Sequence, residues 1–358
     1  MSSTARLQWL DALRGFTMLL VVVNHVYGKC FDASLTRSHL MSVCLLFRMP
    51  LFFFISGFLA YKATATWNLD DTLRMAWRKV QVQVVPTVVA MTAFVALTAS
   101  HFWVSMGSAW TSPMKSGYWF TLVLLQMFII YYAFSFTLRR IVTHFGLKAE
   151  VAEPAAMLLL WLLAVAGYAS MYMPALTSWH KADFWQATSL SECVRYVHFF
   201  IFGNMVHRYW PQFCRLLDTR WFIPLVVTMA FVGAGDYIVW HNLRLAWANL
   251  PRTMAMYALV VMCLATFRHY ASAFSSATWA GRALQFVGVR TLDVYLLHYF
   301  FLPKLTFVGT WLKAHPTSFV VDASLACAVT AVVMAFTLAA SAVLRVSPFL
   351  KKWMFGRG

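Results

Sequence analysis

Within the first thirty residues, "LDALRGFTMLLVVVNHVYG" sets Asp11, Arg14, Asn24 and His25 in an otherwise apolar run. An imidazole exchanges protons near neutral pH and a guanidinium holds anions, so the set could do acid–base chemistry on a charged substrate. In a helix, the step from Arg14 to His25 returns to within roughly 20° of the same direction and rises about 16 Å, so the two side chains lie one above the other. Asp11, three residues before Arg14, falls on nearly the same face and can pair with it. A purely structural alternative stays open, in which Arg14, held by Asp11, and His25 snorkel to opposite headgroup layers.

Other charges interrupt later apolar runs. "FRMPLFFFISGFLA" places Arg48 two residues before Pro50, with Ser56 and Gly57 closing an aromatic stretch. Snorkelling accounts for Arg48 less readily than for Arg14, while stapling the carbonyl freed by Pro50 is its structural option. "VGVRTLDVYLLHYFFLP" adds Arg290, Asp293 and His298, with Arg290 and Asp293 spaced to pair and set a helix register. Asp236 in "VGAGDYIVW" is one more acid in an apolar run. At mid-bilayer an ionised side chain costs about 2.5–3.5 kcal/mol on the mildest scale, so such residues face a bundle interior or a wet cavity.

The elements that must position these residues are membrane spans. With 61% hydrophobic and 11% charged residues and a mean hydropathy of +0.67, the chain is far too apolar for a water-soluble globule. Runs long enough to span, roughly 20 residues each, fall near 8–28, 40–61, 80–100, 118–138, 155–173, 194–210, 221–240, 252–267, 286–307 and 320–344. The expectation is an all-α polytopic membrane helix bundle of about ten spans, a single domain over 1–358 with no soluble appendage and a first span that is retained. Placing the N-terminus in the cytoplasm puts seventeen of the 29 Lys and Arg in cytoplasmic segments and nine outside, which favours two cytoplasmic termini.

The same bases produce a formal charge of +17. They sit in short loops where anionic headgroups and insertion rules account for them, and no nucleic-acid-binding motif accompanies them. The six cysteines are scattered without metal-ligand spacing and read as apolar packers, so no metal is expected.

Together these stretches resemble the acyltransferase-3 family of integral-membrane acyltransferases, which modify bacterial surface glycans and other acceptors. "RLQWLDALRGFTMLLVVVNHV" is similar to its opening helix, and "FRMPLFFFISGFLA" to its second. "GYWFTLVLLQMFIIYY" looks like its Trp-Phe-Leu element, with Thr121 where Leu is common; "RYVHFFIFGNMVHRYW" looks like its aromatic-rich helix, and "TLDVYLLHYFFL" like its late Tyr-Leu-Leu-His helix. The resemblance implies ten helices in a bacterial inner membrane, acetyl-CoA or another acyl-CoA as donor, and a hydroxyl of a cell-surface polysaccharide or lipid-linked glycan as acceptor. It implies essential Arg14 and His25, with Arg48, Ser56, Gly57 and Trp119 around the donor. No esterase-like C-terminal domain of the kind that larger members carry is expected, which leaves the chemistry to the bundle.

On this reading His25 is the general base, Arg14 meets CoA phosphates or the pantetheine path, and Arg48 assists electrostatically near the reacting carbonyl. An acyl-histidine intermediate is the less favoured variant. The expected partners are membrane lipid, acyl-CoA, the glycan acceptor and polysaccharide-synthesis machinery, with no nucleic acid. The rival reading is a transporter or flippase for a lipid-linked sugar, which internal repeats with broken helices would suggest; none is visible in the sequence. A non-catalytic component of a synthase complex is the third, and it would not require His25 to align with Arg14.

Overall fold

A chain this apolar must satisfy its backbone hydrogen bonds within each segment, and a helix does so residue by residue. The computed structural model describes residues 7–34, 38–239, 249–315 and 319–356, and among them every regular element is helical. The chain opens with α1 (Gln8–His25), α2 (His39–Ala60), α3 (Leu69–Lys79), α4 (Val85–Thr98), α5 (Phe102–Thr111) and α6 (Trp119–His144). It continues with α7 (Ala149–Ser170), α8 (Pro174–Lys181), α9 (Asp183–Thr188), α10 (Leu190–Arg208), α11 (Trp210–Leu217) and α12 (Phe222–Val239). Last come α13 (Asn249–His269), α14 (Trp279–Gly288), α15 (Thr291–Leu297), α16 (Thr306–Ala314), α17 (Phe319–Leu344) and α18 (Pro348–Phe355).

Among the described residues, six stretches are long and apolar enough to cross a membrane: Gln8–Cys30, Leu40–Ala60, Leu69–Thr98, Trp119–His144, Ala149–Ser170 and Val320–Leu344. Counting α11 with the start of α12 as one span bent by 81° makes seven. The expected sixth, seventh and eighth spans coincide with α10, α12 and α13. The side chain of Asp236 lies outside the described residues.

The ninth expected span, 286–307, is not one helix. After Gly288 the chain leaves the helical path at Val289–Arg290, restarts as α15 at Thr291, and tightens into a 3₁₀ turn over His298–Phe301. Leu302, held extended before Pro303, ends it, since the proline ring disfavours helical backbone at the residue before it.

Two wide turns also depart from ideal periodicity. Val26–Cys30 continues α1 as a π-helix, and Val80–Val84 joins α3 to α4 in the same way. The second precedes Pro86, whose missing N–H interrupts an α-helical ladder.

By contacts the chain divides into two units, one of residues 1–52 and 211–343, the other of 53–210 and 344–358. In the first, α1 packs along α14 and also touches α13 and α15, while α12 packs along α13. The α1–α14 contact is reciprocal: a Cβ on Gly15 would stand 2.0 Å from the Leu284 carbonyl oxygen, and one on Gly288 would stand 1.8 Å from that of Asp11. Small residues let helix backbones meet, which replaces the hydrophobic drive that lipid removes.

In the second unit, α10 packs on α7 and α6. The end of α2 meets α10 through another glycine pair, Gly57 against the Phe200 backbone and Gly203 against that of Phe54. Lys115 ties down the connection before α6: its buried ammonium donates to the carbonyls of Trp110, Ser112 and Ala187. Burial pushes this lysine below its ordinary pKa. Removing it leaves three carbonyls without the donor, so Lys115→Ala is expected to lower stability by about 1–3 kcal/mol, read as a drop in melting temperature of the detergent-solubilised protein.

Candidate active site

Asp11, Arg14 and His25 all lie on α1, and the structure gives each a partner within the first unit. Arg14 Nη1 stands 3.3 Å from Asp11 Oδ1, the pair that the i,i+3 spacing allows, and Nη2 donates to Thr291 Oγ1 at 3.2 Å. The guanidinium thus bridges α1 to the start of α15, with 28% of its side chain exposed.

At the other end of α1, His25 Nδ1 lies 2.9 Å from His298 Nε2, and the two rings stack with centroids 5.2 Å apart. His298 is fully buried, whereas His25 is half-buried. The Tyr299 hydroxyl is 3.5 Å from His25 Nε2, at the edge of hydrogen-bond range. The π-turn places exposed Lys29 so that its ammonium lies 5.0 Å from the centroid of the Tyr299 ring. Arg48 donates to the Val21 carbonyl at 3.4 Å, one turn of α1 before His25. Arg48 and Lys29 are thus both held at the end of α1 that carries His25.

Two buried carboxylates of the unit accept hydrogen bonds from side-chain hydroxyls. Tyr27 donates to Asp322 at 3.1 Å, and Ser341 donates to Asp293 at 2.6 Å. The expected pair of Arg290 with Asp293 does not form. Arg290 caps α15 rather than lying within it, and its guanidinium sits 3.8 Å from the Phe286 ring centroid, while Asp293 points to Ser341 on α17.

Ser56, Gly57 and Trp119 belong to the second unit. Gly57 is pressed against the Phe200 backbone, and Ser56 beside it is half-buried. Trp119, the first residue of α6, stacks on Tyr196 with centroids 6.1 Å apart, and Phe53 stacks on the same tyrosine at 5.2 Å. The three rings form an aromatic platform next to the Ser56-Gly57 corner on α2.

The profile of the acyltransferase-3 family, described as an acyltransferase domain, matches residues 7–345 and so takes in both units. The chain belongs to the acyltransferase-3 family. No curated protein and no solved structure matches it. As a member of that family with apolar spans, it is an integral membrane acyltransferase.

Within this acyltransferase, the structure gathers His25 and Arg48 at one end of α1 and leaves Arg14 at the other. It also brings in three side chains that sequence reasoning did not place at the site: His298, Tyr299 and Lys29. The "LHYF" run carried the signal for the first two, a histidine and a tyrosine adjacent in an apolar stretch with no obvious structural duty.

Proposed function

We propose that this acyltransferase moves an acetyl group from acetyl-CoA to a hydroxyl of a cell-surface polysaccharide or lipid-linked glycan, with His25 as general base. The observation that carries this reading is the half-buried His25, its Nε2 facing the Tyr299 hydroxyl, with Arg48 hydrogen-bonded to α1 one turn before it and Lys29 over the Tyr299 ring. An acyl transfer needs these parts: a base for the proton of the incoming hydroxyl, and fixed positive charge where the oxyanion develops.

The acceptor oxygen attacks the thioester carbonyl as its proton passes to His25 Nε2. The tetrahedral oxyanion is steadied by Arg48. Collapse breaks the C–S bond, and the departing thiolate takes the proton back from His25. Arg14, about 16 Å away along α1, meets the anionic part of CoA, a separation comparable to an extended pantetheine arm. Ser56, Gly57 and Trp119, in the second unit, are donor-binding candidates on the family resemblance alone. The same reading places both termini in the cytoplasm of a bacterium and about ten spans in its inner membrane, acting as one module over 1–358 beside the polysaccharide-synthesis machinery.

The test is mass spectrometry of surface glycans from strains with and without the gene. One missing acetyl group per repeat is the expected result; loss of the whole polymer from the surface would overturn the enzyme reading in favour of a transporter. Arg14→Ala is expected to raise the KM for acetyl-CoA by about tenfold or more while changing kcat less, as befits lost ground-state binding, measured with labelled donor in isolated membranes.

A further inference from the structure

We infer that His298 is a positioning residue that dictates which nitrogen of His25 is the base. This inference rests on the reading of His25 as the base.

The argument follows hydrogen-bond polarity through the pair. His298 Nδ1 lies 2.8 Å from the Val294 carbonyl, and a carbonyl only accepts, so Nδ1 carries the hydrogen. In a neutral ring Nε2 is then the acceptor. The contact of 2.9 Å between His298 Nε2 and His25 Nδ1 therefore needs a hydrogen on His25 Nδ1. That leaves the lone pair of His25 on Nε2, the nitrogen that faces the Tyr299 hydroxyl at 3.5 Å. Each link is a one-way donor–acceptor step, and the chain starts from backbone, which cannot reverse it.

The local fold explains why the anchor holds. Val294 is one turn before His298, in α15, and the chain tightens into the 3₁₀ turn from His298 onward. The ring is fully buried and pressed between His25 and Tyr299, with the Tyr299 centroid 4.1 Å away. A buried ring with its Nδ1 tied to its own helix has no second rotamer to offer. Orientation of a base imidazole by a third group is what holds its reactive tautomer in other histidine-based acyl transfers.

Two variants separate positioning from packing. His298→Gln can present its amide oxygen where Nε2 stands and so keep the acceptor, whereas His298→Leu fills similar space and removes it. The wild-type protein, labelled with ¹⁵N-histidine in nanodiscs, is expected to show His25 protonated at Nδ1 alone. In His298→Leu the mixture of tautomers found in free imidazole is expected, with kcat lower by about 10- to 100-fold, the donor KM little changed and an unaltered size-exclusion profile. His298→Gln is expected to recover most of the lost kcat and the Nδ1-protonated spectrum.

Protonation of wild-type His25 at Nε2 would overturn the inference, as would full kcat in His298→Leu while His25→Ala is inactive. If His25→Ala itself keeps its activity, the general-base reading fails, and the spectrum still decides whether His298 orients the ring. Should His298→Leu not fold, the wild-type and His298→Gln spectra decide the matter alone.

Discussion

His25→Ala is expected to abolish acyl transfer, by about 10²–10⁴-fold in kcat, which corresponds to roughly 3–5 kcal/mol of lost transition-state stabilisation. The loss falls on kcat because an alanine binds donor and acceptor much as before and only fails to take the proton. Structurally the replacement is mild. His25 is half-buried and its side-chain contacts are with His298 and Tyr299, so truncation leaves the α1–α14 contact untouched. The measurement is labelled-acetyl transfer to glycan acceptor in membranes normalised to protein amount, with His25→Gln as a second substitution that keeps a polar group. A variant at normal expression and full turnover would remove His25 from the mechanism.

The second large effect is on folding. Gly15→Val is expected to cost the protein its folded state in detergent, seen as aggregation on size-exclusion chromatography and loss of a melting transition. A Cβ at Gly15 would stand 2.0 Å from the Leu284 carbonyl oxygen, inside any permissible contact, and the atoms in the way are backbone. The helices must part along their length, and overpacking of this kind costs typically about 1–3 kcal/mol, more where nothing can yield. Parting α1 from α14 also pulls Arg14 from Thr291 and His25 from His298, since both partners follow α14 in the chain. Gly107→Ala is the control: a Cβ there meets nothing within 4 Å, so the variant should fold as well as the parent.

Much of this was legible in the sequence because two physical costs leave clear marks. Ionised groups in apolar runs are expensive, so Arg14, His25 and Arg48 stood out. Helical period then aligned Arg14 with Asp11, and the structure pairs them at 3.3 Å. The apolar runs located α1, α2, α4, α6, α7 and α17 for the same reason.

What could not be read depends on contacts between distant parts of the chain. Within the ninth run's "VGVRTLDVYLL" the only charges are Arg290 and Asp293, whose spacing also fits one unbroken helix, so neither hydropathy nor period marks a stop at Gly288; the stop occurs beside the close approach to Asp11. The i,i+3 rule presumes both residues lie inside one helix, and Arg290 is a cap, which releases Asp293 to Ser341. His298 meets His25 across 273 residues, a pairing that local spacing does not encode. Lys29 lies just past the first apolar run, 8–28, and it is the π-turn that carries it to the Tyr299 ring.

The π-turn after His25 separates two angular settings along one continuous segment. Up to His25, the direction of every side chain is dictated by the Gly15–Gly288 contact; beyond it, a turn of different pitch lets Lys29 take its bearing from Tyr299 instead. Base and cation can therefore be tuned one at a time. A single-residue deletion inside Val26–Cys30 would convert the wide turn to an ordinary one and change the direction in which Lys29 leaves the axis, a change of length that acts like a change of residue.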